Sequence, residues 1–154
     1  MQLHRRGLIA WLGSMLLSML ATGWAAGAET PTKQQQLLND LPRLWAAAAT
    51  AGDVDSLVGL YSDDAFIHVV FTSDELHGRE QIAAYYAKYA KTPQKVTITE
   101  VEESSIVATV GLLSGKALVE FAGQPPMRTR FSIVANWKND RWWVQIYYAS
   151  RLDG

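Results

Sequence analysis

The sequence contains no cysteine and no large excess of charge of either sign. Without cysteine, the chain cannot form a disulfide bond, attack a substrate through a thiol or hold zinc through thiolates. Its 14 lysine and arginine residues, against 15 aspartate and glutamate residues, provide no basic field for nucleic acid. We therefore expect one domain that is held together by packing alone and has no nucleic-acid partner.

The common catalytic motifs are missing as well. The sequence contains no GxSxG, no HExxH and no phosphate-binding glycine loop, which are signatures of serine hydrolases, zinc hydrolases and nucleotide-dependent enzymes. Of the three histidines, His4 lies near the N-terminus, and His68 and His77 have no acidic cluster at ligand spacing. We expect neither a metal ion nor another cofactor.

Residues 1–28 have the layout of a secretory signal peptide. Arg5 and Arg6 precede an apolar run from Gly7 to about Gly23, and small residues up to Ala28 resemble a cleavage site. The run is of borderline length for a membrane span, so an uncleaved anchor is the alternative. We expect cleavage after residue 28, a short tether over 29–33, and a periplasmic or secreted protein that leaves the membrane.

Three segments before residue 93 have helical character. Apolar residues recur at helical spacing from Leu37 to Ala48, which predicts an amphipathic helix that ends at Gly52. Pro42 interrupts this pattern, so the helix either kinks there or restarts with Asp40 as its cap. Two further helices are predicted, a short one over 54–62 that the aspartate at 53 caps, and one over 79–91.

The other segments have the composition of strands. A strand over 65–71 is expected to follow a turn at Ser62-Asp63-Asp64, and residues 72–78 to form a loop. Further strands are predicted at 95–103, 105–121, 127–137 and 141–150, with a bulge or bend at Gly111 and Gly115. Because the helices come first, we expect an α+β fold with helices on one face of an antiparallel sheet.

Five short words in this order carry a family resemblance: WAAAATAGDV (45–54), LYSDDA (60–65), HGREQI (77–82), TRFSIVANW (129–137) and RWWVQIYYAS (141–150). Together they resemble the nuclear transport factor two-like superfamily. The nearest groups are the bacterial calcium/calmodulin-dependent kinase II association-domain-like proteins and the SnoaL-like and SgcJ/EcaC-type proteins. The resemblance implies a single domain over 34–152, in which a strongly curved antiparallel sheet forms a cone around three N-terminal helices. The superfamily includes isomerases, cyclases, dehydratases, hydrolases and oligomerisation domains, so the fold alone does not specify a reaction.

The resemblance also implies a ligand site. In the association-domain relatives, arginines reach into the cavity between helices and sheet and hold an anionic group, and Arg130 is the matching position. Strand alternation places Arg128 and Ser132 on the same face as Arg130. The alternative is a surface strand whose arginines pair with glutamates 100, 102 or 103 across the sheet. The candidate ligand-binding residues are Arg130, His68, Tyr148, Ser132, Ser150 and Arg128.

An enzyme of the SnoaL or ketosteroid isomerase kind is the alternative function. Enolising members of the superfamily use a carboxylate base in an apolar cavity, opposite a tyrosine or acid. Here Asp63, Asp64 or His68 is a candidate base, and tyrosines 85, 86, 147 and 148 are candidate phenols. No carboxylate occupies a strand position that clearly points inward, so the catalytic residues stay unassigned.

The last strand, RWWVQIYYAS, is apolar on both sides. Strict alternation groups Trp142, Val144, Ile146 and Tyr148 on one face, and Trp143, Gln145, Tyr147 and Ala149 on the other. One face would meet the helices and the cavity, and the other would meet a second subunit, since an exposed two-sided apolar strand risks aggregation. We therefore expect an exported domain that forms a homodimer or higher oligomer, binds a small anionic or aromatic ligand, or does both.

Overall fold

The computed structural model describes residues 31–92 and 94–152. The predicted signal peptide and its cleavage site lie outside the described residues. No helix within those ranges has the length and hydrophobicity needed to cross a membrane. The elements are α1 (Lys33–Ala51), α2 (Val54–Val58), β1 (Tyr61–His68), β2 (Leu76–His77), α3 (Gly78–Tyr89), β3 (Gln94–Val107), β4 (Val110–Phe121), β5 (Met127–Lys138) and β6 (Arg141–Arg151).

The first helix passes through its proline without a break. The Thr32 hydroxyl accepts a hydrogen bond from the Gln35 N–H at the start, and Gly52 ends the helix in the left-handed conformation, with φ of 65°. A restart at Asp40 is therefore wrong. Pro42 lies in the buried face of α1, and this burial offsets the one backbone hydrogen bond that proline cannot donate.

The described strands form one sheet in the order β2-β1-β6-β5-β4-β3. The sheet is curved and unclosed, and the helices precede most of it, which confirms the predicted α+β fold class. One pair differs from an all-antiparallel sheet, because β1 runs parallel to β6. The core lies between the helices and one face of the sheet, which we call the inner face; the other is the outer face.

The start of β1 is irregular and differs from the prediction. Residues 62–64 belong to the strand rather than to a turn before it. The register with β6 passes from Tyr61 opposite Val144 to Phe66 opposite Ile146, so Gln145 alone faces four β1 residues. The Gln145 side chain fills this bulge: its Oε1 accepts from the Ser62 hydroxyl at 2.8 Å, and its Nε2 donates to the backbone oxygen of residue 64 at 3.2 Å.

The segment over 105–121 is not one strand. It contains a hairpin turn at 108–109, where Ala108 has a positive φ of 54°, and no glycine, proline or asparagine marks this turn in the sequence. The expected irregularity near Gly115 lies instead on the partner strand, where β3 shifts register between Ile98 and Glu100 and again between Val101 and Glu103.

Gly115 is required at this point by a close approach of neighbouring atoms. A Cβ there would lie 2.7 Å from the Phe131 ring and would also collide with the Glu100 backbone carbonyl. We therefore expect Gly115→Ala to lower the free energy of unfolding by about 2 kcal/mol in urea titrations. Ser114→Ala, on the outer face of the same strand, is the control; equal stability of the two variants would contradict this account.

Candidate functional site

A cavity lies between the helices and the inner face of the sheet. Its volume is about 70 Å³, several times the roughly 10–15 Å³ that one water needs. No charged side chain of the described residues lines it. Its walls are Pro42, Trp45, Ala49, Val69, Val70, Phe71, Tyr85, Tyr86, Tyr89, Gln94, Val96, Ile98, Ala117, Val119, Thr129, Phe131, Ile133, Tyr147 and Ala149.

One end of the cavity carries a cluster of aromatic side chains with polar atoms. The Trp45 indole N–H donates to the Tyr61 hydroxyl oxygen at 2.9 Å, and the hydroxyls of Tyr61 and Tyr86 are 3.2 Å apart. The Tyr147 ring stacks on Trp45, with ring centroids 5.3 Å apart. No hydrogen bond within the described residues involves the Tyr147 hydroxyl, although Tyr147 is only 7% exposed.

The buried phenols are held in the neutral form. Burial is the main cause that raises the pKa of Tyr61, Tyr85, Tyr86 and Tyr147 above the ordinary value for tyrosine. Repulsion between neighbouring phenolates adds to this effect at each of the four. At neutral pH these side chains are therefore hydrogen-bond donors rather than bases.

The cavity reaches the surface at Phe71, which is 42% exposed. Its ring stacks on Tyr89 at 5.6 Å and meets the edge of Phe121 at 5.7 Å. These three rings, from the segment after β1, from α3 and from the end of β4, form an aromatic rim. A small apolar molecule that entered there would remain in contact with rings along its path.

The residues proposed from the sequence lie together, but on the outer face. Across β6, β5 and β1, the register pairs Arg130 with Ser150, Ser132 with Tyr148, and His68 with Tyr148. The His68 and Tyr148 rings stack with centroids 4.8 Å apart. The remaining candidate, the arginine at 128, is exposed on the same strand face as Arg130. Their role in ligand binding stays a prediction.

The expectation that Arg130 reaches into the cavity is wrong. Its guanidinium is half exposed and lies 3.2 Å from a carboxylate oxygen of Glu102, as in the alternative of a surface strand. The reason is the alternation of β5, which turns Thr129 and Phe131 inward and therefore turns Arg130 outward. Lys116 lies 2.8 Å from oxygens of both Glu100 and Glu102 on the same face.

The carboxylates considered as bases do not line the cavity either. The Asp63 carboxylate is 90% exposed and pairs with Arg79 at 2.9 Å, and Asp64 is exposed. In the part of the chain that the structure describes, no carboxylate or imidazole faces the cavity, and no three potential metal ligands are grouped.

The strict alternation assumed for the last strand is broken at Gln145. Because of this bulge, Trp142, Val144, Tyr147 and Ala149 are the buried residues of β6, whereas Tyr148 is half exposed. The predicted grouping of Val144 with Tyr148 is therefore wrong. Sequence reasoning named Tyr86 and Tyr147 as candidate phenols, but it missed Trp45 and Tyr61, which are linked to them only by the tertiary fold.

Several solved structures share this fold. A protein from Xanthomonas campestris, provisionally described as a calcium/calmodulin dependent protein kinase II association domain, superposes with a TM-score of 0.68 at 17% identity, covering 75% of this chain and 85% of that one. A provisional dehydratase of the NTF2-like family from Streptomyces avermitilis gives 0.70 at 16% identity, covering 81% and 100%. A ketosteroid isomerase-like protein from Erwinia carotovora atroseptica gives 0.66 at 14% identity, covering 80% and 99%.

These likenesses confirm the predicted resemblance to the nuclear transport factor two-like superfamily. At such low identity they establish the fold rather than an activity. The SnoaL-like domain model matches residues 43–145, which run from the second half of α1 into β6. Since this match spans more than half of the chain and the fold agrees with it, the chain belongs to the SnoaL-like domain family.

Proposed function

We propose that this protein binds a small, neutral aromatic or aliphatic molecule in the cavity between the helices and the sheet. The observation that carries the proposal is a wall of aromatic and aliphatic side chains without any charged group of the described residues. Such a wall favours apolar surface, and ligand pockets in proteins are predominantly of this kind.

The absence of charged side chains from the described wall also restricts the chemical class of the ligand. An anion in the cavity would lose its hydration without gaining a cationic partner, which is costly in an apolar environment. Of the two ligand classes expected from the sequence, the aromatic class therefore fits the cavity better than the anionic class. The volume of about 70 Å³ limits the ligand to a small molecule.

Catalysis by proton transfer is less well supported. The relatives include proteins described as a dehydratase and as ketosteroid isomerase-like, and these descriptions favour an enzyme. General base catalysis needs a group that can take a proton within hydrogen-bond reach of the substrate. The described wall has neutral phenols but no carboxylate or imidazole, so we favour binding over catalysis.

We also propose that two copies associate through the outer face. Register aligns Phe66, Ile146, Val134 and Leu112 in one apolar row across four strands, and Leu112 is 43% exposed. Beside this row, glutamates alternate with lysine and arginine, so a two-fold related copy can set acids opposite bases. Export to the periplasm or the exterior, supported by residues 1–28, stays part of the proposal.

Filling the cavity should abolish binding. Ala149 lines the cavity from β6, and we expect Ala149→Leu to weaken binding of ethylbenzene by at least about tenfold, measured by NMR titration. Ser150→Leu, one residue further on the outer face, is the matched control and should bind as the wild type does. If folded Ala149→Leu protein bound ethylbenzene normally, the cavity would not be the site.

A charge in the apolar row should separate the copies. We expect Ile146→Glu to convert a dimer into a monomer in light-scattering measurements, because a carboxylate buried at an interface without a partner is costly. Ala47→Glu places the same charge on the exposed side of α1, away from the outer face, and should leave the dimer intact. A wild-type protein that is monomeric at high micromolar concentration would refute the proposed association.

The neutral phenols predict a loss of stability in alkali. Folding raises the pKa of four tyrosines above the unfolded value of about 10, so their contribution is complete below pH 10. Above it, the unfolded state releases protons that the folded state keeps, and stability falls by up to about 1.4 kcal/mol per pH unit for each tyrosine. Urea unfolding from pH 8 to pH 11 measures this; Tyr147→Phe should reduce the slope, and a flat profile would contradict the burial of neutral phenols.

A further inference from the structure

The hydrogen bonds that join Trp45, Tyr61 and Tyr86 have one direction that leaves no fully buried donor unpaired. The indole N–H can only donate, and it donates to the Tyr61 oxygen. Tyr61 is 0% exposed and does not line the cavity, so its own O–H has to donate to the Tyr86 oxygen. The opposite direction would leave the Tyr61 proton without an acceptor, and such a group is unfavourable.

This direction leaves the proton of the Tyr86 hydroxyl without an acceptor among the described residues. Tyr86 lines the cavity, so the donor at the end of the chain borders the space where a ligand would bind. Tyr147 supplies a second such donor, because it is nine-tenths buried, lines the same cavity and has no hydrogen bond within the described part of the chain.

The two donors belong to the same end of the cavity. Trp45 contacts both rings, with Tyr147 stacked on it at 5.3 Å and the edge of Tyr86 at 6.3 Å. Burial first, and then repulsion from a Tyr86 phenolate, raise the pKa of Tyr147.

Other polar groups in the wall already have partners. The Thr129 hydroxyl donates to the Ala117 carbonyl at 3.2 Å, and the Gln94 amide donates to the Ala49 carbonyl at 3.1 Å. The hydroxyls of Tyr85 and Tyr89, which also line the cavity, share a hydrogen bond. The described wall therefore combines an apolar surface with two surplus phenolic donors, those of Tyr86 and Tyr147, beside Trp45.

We infer that the ligand carries a neutral carbonyl oxygen, as in a ketone, aldehyde or ester, which accepts hydrogen bonds from Tyr86 and Tyr147. A carbonyl oxygen has two lone pairs and no proton of its own, so one atom satisfies both donors. The rest of the molecule lies against the apolar wall. This inference rests on the proposed function, because it names the ligand class of the same cavity.

The ligand-free protein provides a first test through stability. Tyr147→Phe removes a hydroxyl without a protein partner and should leave the melting temperature unchanged or higher. Tyr86→Phe removes the acceptor of the buried Tyr61 proton and should lower the melting temperature. A larger loss for Tyr147→Phe than for Tyr86→Phe would overturn the assigned direction of the hydrogen-bond chain.

The decisive test compares three single-ring probes by NMR titration of the purified protein. Acetophenone carries a carbonyl, α-methylstyrene replaces its oxygen with a CH₂ group, and benzoate carries a negative charge. We expect Tyr147→Phe to weaken acetophenone binding about three- to tenfold and to leave α-methylstyrene binding unchanged, because each hydrogen bond contributes modestly to affinity. Tyr148→Phe, which removes the same hydroxyl group from the outer face, is the matched control and should alter the binding of neither probe.

The outcomes separate the two claims. If both uncharged probes bind and Tyr147→Phe weakens them equally or not at all, the carbonyl inference is wrong and the proposed function stands. If neither uncharged probe binds, both claims fail. Tighter binding of benzoate than of acetophenone would overturn the inference that the ligand is neutral.

Discussion

The extra residue in β6, Gln145, is the feature on which the site depends. Between the pairs Val134–Ile146 and Ala135–Val144, the register advances one residue in β5 and two in β6. With strict alternation, Tyr148 would face inward and the tyrosine before it outward. The bulge exchanges the two, and the Gln145 amide stabilises it through hydrogen bonds to the irregular start of β1.

The two faces of the described sheet differ in the kind of side chain they carry. The inner face and the helices enclose aromatic rings and neutral hydroxyls, whereas Lys116, Arg130 and the glutamates that pair with them lie on the outer face. Carboxylates beside Lys116 raise its pKa, and Lys116 in turn is the main cause that lowers the pKa of Glu102. These exposed pairs neutralise each other, which fits the proposed association of two copies better than the binding of a free anion.

The sequence predicts the fold class and the order of the elements, because long periodic segments and helix caps such as Gly52 and Asp53 are local signals. It does not predict the turn at Ala108, which lacks a typical turn residue, or the bulge at Gln145, which depends on contacts with β1. The candidate site follows the same division. Strand alternation groups Arg128, Arg130 and Ser132 on one face of β5, as the structure has them. Which face of the strand meets the helices depends on tertiary packing.

Crystals of the protein soaked with bromobenzene test the central claim most directly, because bromine gives an anomalous signal that locates the ring without prior assumptions. The account predicts a bromine peak inside the cavity, within van der Waals distance of Phe131 or Trp45, two residues that line it. A cavity without such a peak, with bromine bound instead on the outer face near Tyr148, would contradict it.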